Sequence, residues 1–224
     1  MIEISRADAH AALAEPHRLA IVDALALGDL SPGELSERTG QSSNLLAHHL
    51  GVLEQAALVR RRRSDGDGRR SYLTLAWENP IVAATAAAGV APAGTRVVFV
   101  CSANSARSQM AASLLASASL SAVTSAGTAP AEAIHPLAVA ELERHGLAPL
   151  SPTPASAADV VTANDIVVAV CDNAYEDMGA NNVALHWSIP DPANGDADGF
   201  RTAFENLTPR IDRLASALTN GQEP

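Results

Sequence analysis

Over residues 7–56 apolar side chains recur at the spacing of helices, whereas from Arg96 onward short apolar runs alternate with helical stretches. In the first region, 11–13 and 16–27 carry Leu19, Ile21, Val22 and Leu25 at helical intervals, and Gly28-Asp29 ends the run. Ser31-Pro32-Gly33-Glu34 reads as a capping box with proline at the first helical position, and Gly40 closes that helix. Ser42, Ser43 and Asn44 offer an N-cap for the next helix, whose expected apolar face is Leu45, Leu46, His49 or Leu50, and Leu53. Two helices joined near Gly40 predict a helix-turn-helix. Residues 58–63, a turn over 64–68 and a return strand over 69–75 then read as a hairpin. Residues 78–95, rich in alanine with glycine and proline, read as a linker with room for a short helix at 81–88.

Beyond Arg96 the expected strands are 96–100, 122–125, 165–170 and 183–187, and the expected helices 108–116, 136–145, 156–162 and 200–218. Strands alternating with helices predict a parallel sheet with crossover connections. The chain is therefore expected to hold two domains: 1–77, mainly α, and 96–224, α/β, joined by 78–95.

Composition narrows the function classes. No apolar run approaches 18 residues and no basic, apolar leader opens the chain, so a cytoplasmic protein without a membrane partner is expected. Two cysteines in 224 residues make no disulfide framework, which leaves them thiol chemistry or packing. Lysine is absent. Residues 1–80 carry a net charge of −2 and residues 81–224 a net charge of −8, yet Arg60, Arg61, Arg62, Arg63, Arg69 and Arg70 crowd one hairpin. Arginines flanking a protruding turn suit contacts with DNA phosphates, while the N-terminus of the helix before them is suited to reading bases.

The sharpest chemical signal is RVVFVCSANSARSQMA at 96–111. A β-branched and aromatic strand stops at Cys101, and Ser102, Ala103, Asn104, Ser105 and Ala106 separate that cysteine from Arg107 and Ser108 at a helix start. Successive backbone N–H groups in a loop entering a helix N-terminus form a nest for an anion. A cysteine there falls from its free pKa of about 8.5 to roughly 3.5–7.5, which makes it a nucleophilic thiolate. Arg107 adds a planar fork for a tetrahedral oxyanion.

These residues carry a resemblance. Cys101 to Ser108 is similar to the active-site loop of the low-molecular-weight protein tyrosine phosphatase superfamily, and the continuation through Gln109-Met110-Ala111 to its arsenate reductase branch. Ala103 stands where the family usually has glycine, and Ala106 where it often has a second cysteine. The resemblance implies strand order 2-1-3-4, with the ligand at the carboxyl ends of the strands. Ser125-Ala126-Gly127-Thr128 and His135-Pro136 are further similar elements. Asp before Pro is an ordinary turn, but the likeness of HWSIPDPA to the reductase acid loop implies that Asp191 is the general acid. Val170-Cys171-Asp172-Asn173-Ala174 resembles the redox segment of thiol-dependent arsenate reductases, which implies that Cys171 resolves an adduct on Cys101. Met178 stands where a further cysteine usually lies, so an external small thiol or redoxin is expected as reductant, with no bound cofactor.

Residues 9–76 resemble the ArsR-type winged helix-turn-helix repressors, through EPHRLAIV at 15–22 and HLGVLEQAALV at 49–59. The resemblance implies a dimer on double-stranded operator DNA, with Ser42, Ser43, Asn44 and His48 in the major groove and the wing arginines on phosphates. Residues 1–95 hold no cysteine, which excludes a thiolate metal sensor there. His17, His48 and His49 are expected to bind no metal, because adjacent helix residues cannot face one ion together. Phosphotyrosine recognition needs aromatic walls, and 128–134 and 193–199 have none, so a small oxyanion, arsenate or phosphate, is expected. Two alternatives stay open: a weakly catalytic oxyanion or redox sensor controlling DNA binding, and a plain phosphatase.

Overall fold

The computed structural model describes residues 6–86, 89, 91–119 and 121–220, and the chain divides into two compact units near residue 89. The first unit contains helices α1 (Arg6–Leu13), α2 (Pro16–Ala24), α3 (Pro32–Thr39), α4 (Ser43–Gln55) and α5 (Pro80–Thr85), with strands β1 (Val59–Arg63) and β2 (Ser71–Leu75). Helix α3 starts on a reciprocal cap: the Glu34 N–H donates to Ser31 Oγ at 3.3 Å and the Ser31 N–H to Glu34 Oε2 at 2.7 Å. It ends at Gly40, whose φ of 67° belongs to the left-handed region open to glycine. The inner face of α4 is Leu46, His49, Leu50 and Leu53. Leu45, expected on that face, is instead exposed, because the core lies on the side of Leu46 and Leu50.

Strands β1 and β2 pair antiparallel from Val59 with Leu75 to Arg63 with Ser71, and Leu30 bridges to Leu73. Arg69 and Arg70, expected in the return strand, therefore lie in the turn. The stretch expected as linker is partly core. Asn79 caps α5, and Ile81, Val82 and Ala86 bury against the apolar cluster of the first unit. Alanine-rich composition concealed two branched side chains that supply the contact.

In the second unit, β3 (Arg96–Cys101), β4 (Val123–Gly127), β5 (Asp165–Ala169) and β6 (Leu185–His186) form a parallel sheet in the order β4-β3-β5-β6. This is the expected 2-1-3-4 winding, and both central strands are buried along most of their length. Arg96 and Asp165 face each other at the start of β3 and β5, with Nε and Nη2 donating to the two carboxylate oxygens at 3.0 and 2.8 Å. The hydrogen bond from Arg96 outweighs burial and, with Thr162, holds the Asp165 carboxyl down at about 2. Helices α6 (Arg107–Ala118), α7 (Pro136–Arg144) and α10 (Ala197–Asn220) pack on one another, α10 burying Phe200, Phe204, Leu207, Ile211 and Leu214 at helical spacing. Helices α8 (Ala157–Val160) and α9 (Asp172–Met178) complete the unit. Helix α9 was not expected; its seven residues include only Ala174, Tyr175 and Met178 as apolar positions, too few to show a period. Among the described residues no helix is long and apolar enough to cross a membrane.

Candidate functional site

Strand β3 delivers Cys101 to the end of the sheet, and α6 begins at Arg107. The loop between them is shaped by the segment after β4. Backbone N–H groups of Thr128, Ala129, Ala131 and His135 donate to the carbonyls of Cys101, Ser102, Ala103 and Ser105 at 3.1, 2.8, 2.9 and 2.9 Å. In a trans peptide the N–H points opposite to the carbonyl, so the amides of Ser102, Ala103, Asn104 and Ala106 turn to the other side. Backbone donors gathered on one side of a loop form a nest.

Asn104 has a φ of 50°, a left-handed conformation that asparagine tolerates. Its side chain does not face the nest. The amide donates to Ser108 Oγ at 2.8 Å and Ser125 Oγ at 2.9 Å, while its oxygen accepts from the Ala155 N–H at 2.8 Å. Asn104 thus offers an anion only its backbone, and its fully buried side chain ties the loop to its neighbours. Ser108 Oγ lies 3.1 Å from Cys101 Sγ, within hydrogen-bond reach, while it accepts from the Asn104 amide. Gly127 also shapes the loop: a Cβ there would meet Ser102 O at 2.6 Å and Asn104 N at 2.9 Å.

Arg107 is buried and held from two sides. Its Nη1 donates to Ile189 O at 2.9 Å, and its Nη2 lies 3.1 Å from Asp191 Oδ2. Asp191 Oδ1 accepts the Ala193 N–H at 3.0 Å, which fixes the carboxylate at the head of the Pro192–Asn194 turn. The arginine and the expected acid, 84 residues apart in sequence, thus come together.

Cys171 follows β5, the neighbour of β3, and caps α9: its Sγ accepts the Ala174 N–H at 3.4 Å. Ser102 Oγ lies 3.6 Å from that sulfur, so the residue after one cysteine touches the other. Burial pushes the Cys171 thiol up, the nearby Cys101 pushes the same way, and Arg107 opposes both. Behind Cys171, His186 Nε2 lies 3.0 Å from Asp172 Oδ1 and Tyr175 stacks on the imidazole at 4.2 Å. No local pattern marks this buried pair, because strand β6 and helix α9 meet only in the fold.

In the first unit, Ser42, Ser43, Asn44 and His48 are all exposed on one end and side of α4. Arg60, Arg61, Arg63, Arg69 and Arg70 are exposed on the hairpin and Arg62 is half-buried. Arg60 pairs with Glu78, and Arg61 Nε lies 3.1 Å from Glu54 Oε1. Arg61, Arg63, Arg69 and Arg70 line one open cleft with Gly68 and Ser71.

The family model described as low molecular weight phosphotyrosine protein phosphatase matches residues 96–223, and one described as helix-turn-helix domain matches 13–62. A glutaredoxin arsenate reductase from Synechocystis is 29% identical over 132 residues, spanning 55% of this chain and 98% of that protein. The YwlE arginine phosphatase from Geobacillus stearothermophilus is 25% identical with a TM-score of 0.52, over 57% of this chain and 95% of its own. A YwlE mutant from Bacillus subtilis, 22% identical with a TM-score of 0.51 over 56% of this chain and 99% of its own, shares the fold. With its nest, cysteine and arginine on this sheet, the chain belongs to the low molecular weight phosphotyrosine protein phosphatase family and carries a helix-turn-helix domain ahead of the family domain.

Proposed function

We propose that the second unit reduces arsenate with thiols and that the first holds the chain, as a dimer, on double-stranded operator DNA. The observation that carries this reading is the pair of thiols after adjacent strands, Cys101 beside the nest and Cys171 in contact with Ser102. The similarity to a protein named glutaredoxin arsenate reductase supports the substrate class. The Cys101 thiolate attacks arsenic, Asp191 protonates the departing oxygen, water leaves and a sulfur–arsenic(V) bond forms. Arg107 and the loop amides hold the remaining oxygens. The Cys171 thiolate then attacks Cys101 Sγ, the sulfur–arsenic electron pair passes to arsenic, and arsenite leaves as arsenic(III). Arsenic gains the two electrons that the thiols lose in forming their disulfide. An external small thiol or redoxin reduces that disulfide, since Met178 takes the place of a third cysteine.

A second reading has its own support. Cys171 is buried with its thiol pushed up, and the similarity to an arginine phosphatase favours hydrolysis of a phosphoryl group through Cys101 alone. Incubation with arsenate and a small thiol separates the two: arsenite formation, with loss of two free thiols when reductant is withheld, supports reduction. Hydrolysis of p-nitrophenyl phosphate without arsenite overturns it. On duplex DNA, affinity is expected to fall steeply with salt, and Arg63→Ala to lower the log–log slope by about 1. Salt-independent binding removes the DNA reading, and an affinity that changes with bound oxyanion makes the second unit a sensor.

A further inference from the structure

The first unit holds a cluster that none of the chemistry above uses. Glu15, the N-cap of α2, His17 in its first turn and His49 on α4 bring one ligand atom each within 4.8 Å of one another. His17 Nδ1 lies 2.7 Å from Glu15 Oε1, and His49 Nδ1 lies 3.6 Å from Glu15 Oε2. The two imidazoles stack nearly parallel, 5.5 Å between centroids and 8° between planes.

His49 is the independent sign of a ligand. Its side chain is 8% exposed, and among the described residues neither ring nitrogen has a hydrogen-bond partner. A buried imidazole with unbonded nitrogens costs free energy, and an ion bound at one of them offsets part of that cost. Arg18 bonds through its side chain to the carbonyls of Ala11 and Ala12 in α1. Gln41, at the end of α3, holds the backbone of His17 through a 3.2 Å bond to its carbonyl. His48 lies on another side of α4, as adjacent helix positions require.

We infer that Glu15, His17 and His49 bind a divalent first-row transition ion of the zinc type, with water in the fourth position. Two imidazoles and one carboxylate are a zinc-type donor set. Ligand atoms about 2.1 Å from a tetrahedral ion stand about 3.4 Å apart, so the cluster, whose ligand atoms lie within 4.8 Å of one another, closes by a shift of exposed His17 and a rotation of its ring out of the stack with His49. The ion joins the start of α2 to α4, the helix that carries Ser43, Asn44 and His48, and so steadies the base-reading helix.

Cobalt(II) titration of the untagged full chain tests this. Weak d–d bands without a sulfur charge-transfer band are expected to saturate at one equivalent, to be displaced by zinc(II), and to weaken at least tenfold in His17→Ala. His17 is exposed, so that variant is expected to keep the wild-type circular dichroism spectrum; Glu15→Gln, which retains the helix cap, is expected to weaken binding as well. Zinc is expected to raise the melting midpoint of the wild type and not of His17→Ala. No cobalt binding, equal binding by both variants, or a dominant thiolate band overturns the site.

Discussion

Cys101 ends one central strand of the parallel sheet and Cys171 lies just past its neighbour, each before a helix. Their surroundings differ. Around Cys101 the loop carbonyls are drawn off by the segment after β4, which leaves a ring of amides, and a serine hydroxyl reaches the sulfur. Around Cys171 there is no such loop: the chain enters α9 directly, the sulfur caps that helix, and burial pushes the thiol up. A strand end supplies position only. Reactivity comes from what the next few residues do with their backbone.

The largest expected effect breaks the pair. Cys101→Ser is expected to abolish both arsenate reduction and ester hydrolysis, whereas Cys171→Ser stops arsenite turnover and spares ester hydrolysis. Because the Cys171 thiol is pushed up, its thiolate population grows with alkalinity, and arsenite release is expected to keep climbing through about pH 9 without levelling off. A flat profile would mean that Cys171 deprotonation does not limit release. Next in size is the acid: Asp191→Asn is expected to lower turnover by about 10²–10⁴-fold, read as kcat at constant pH.

Smaller effects sharpen the comparison through the scaffold. Gly127→Ala places a methyl group against Ser102 O and Asn104 N, at an expected cost of about 1–3 kcal/mol in urea unfolding. It is also expected to weaken phosphate binding at the Cys101 loop while leaving the cap on Cys171 intact. The smallest effect concerns Asp165, which ties the starts of the two cysteine-bearing strands. Its carboxyl falls from 3.8 to about 2 on folding, so its contribution is present above the higher value and lost as pH falls through the lower. With Arg96 partly in solvent, Asp165→Asn is expected to cost on the order of 1–2 kcal/mol near neutrality and almost nothing near pH 2, measured by denaturant midpoints.

Much of the fold was legible because its signals are local. The Ser31–Glu34 cap, the stop at Gly40 and the apolar run before Cys101 each lie within a few residues, and periodicity needs no knowledge of partners. The misreadings have physical causes as well. Alanine-rich 80–86 read as linker with a short helix because two branched residues do not reveal that the helix packs into the core, and Leu45 looked inward because a short apolar cluster does not fix which side meets the core. Helix α9 was concealed because a capping thiol and packing, rather than composition, hold it.

The cysteine–arginine loop, the Asp-Pro turn at Asp191 and the basic hairpin are legible in the order of residues alone, since each is a short local motif, whereas the acid role expected of Asp191 came from the resemblance. Only the tertiary structure decided that Asp191 meets Arg107, that Ser102 touches Cys171, and that Glu15 and His17 close on His49. Those meetings join segments distant in sequence, and burial of the surrounding apolar surface offsets the chain entropy that bringing them together costs.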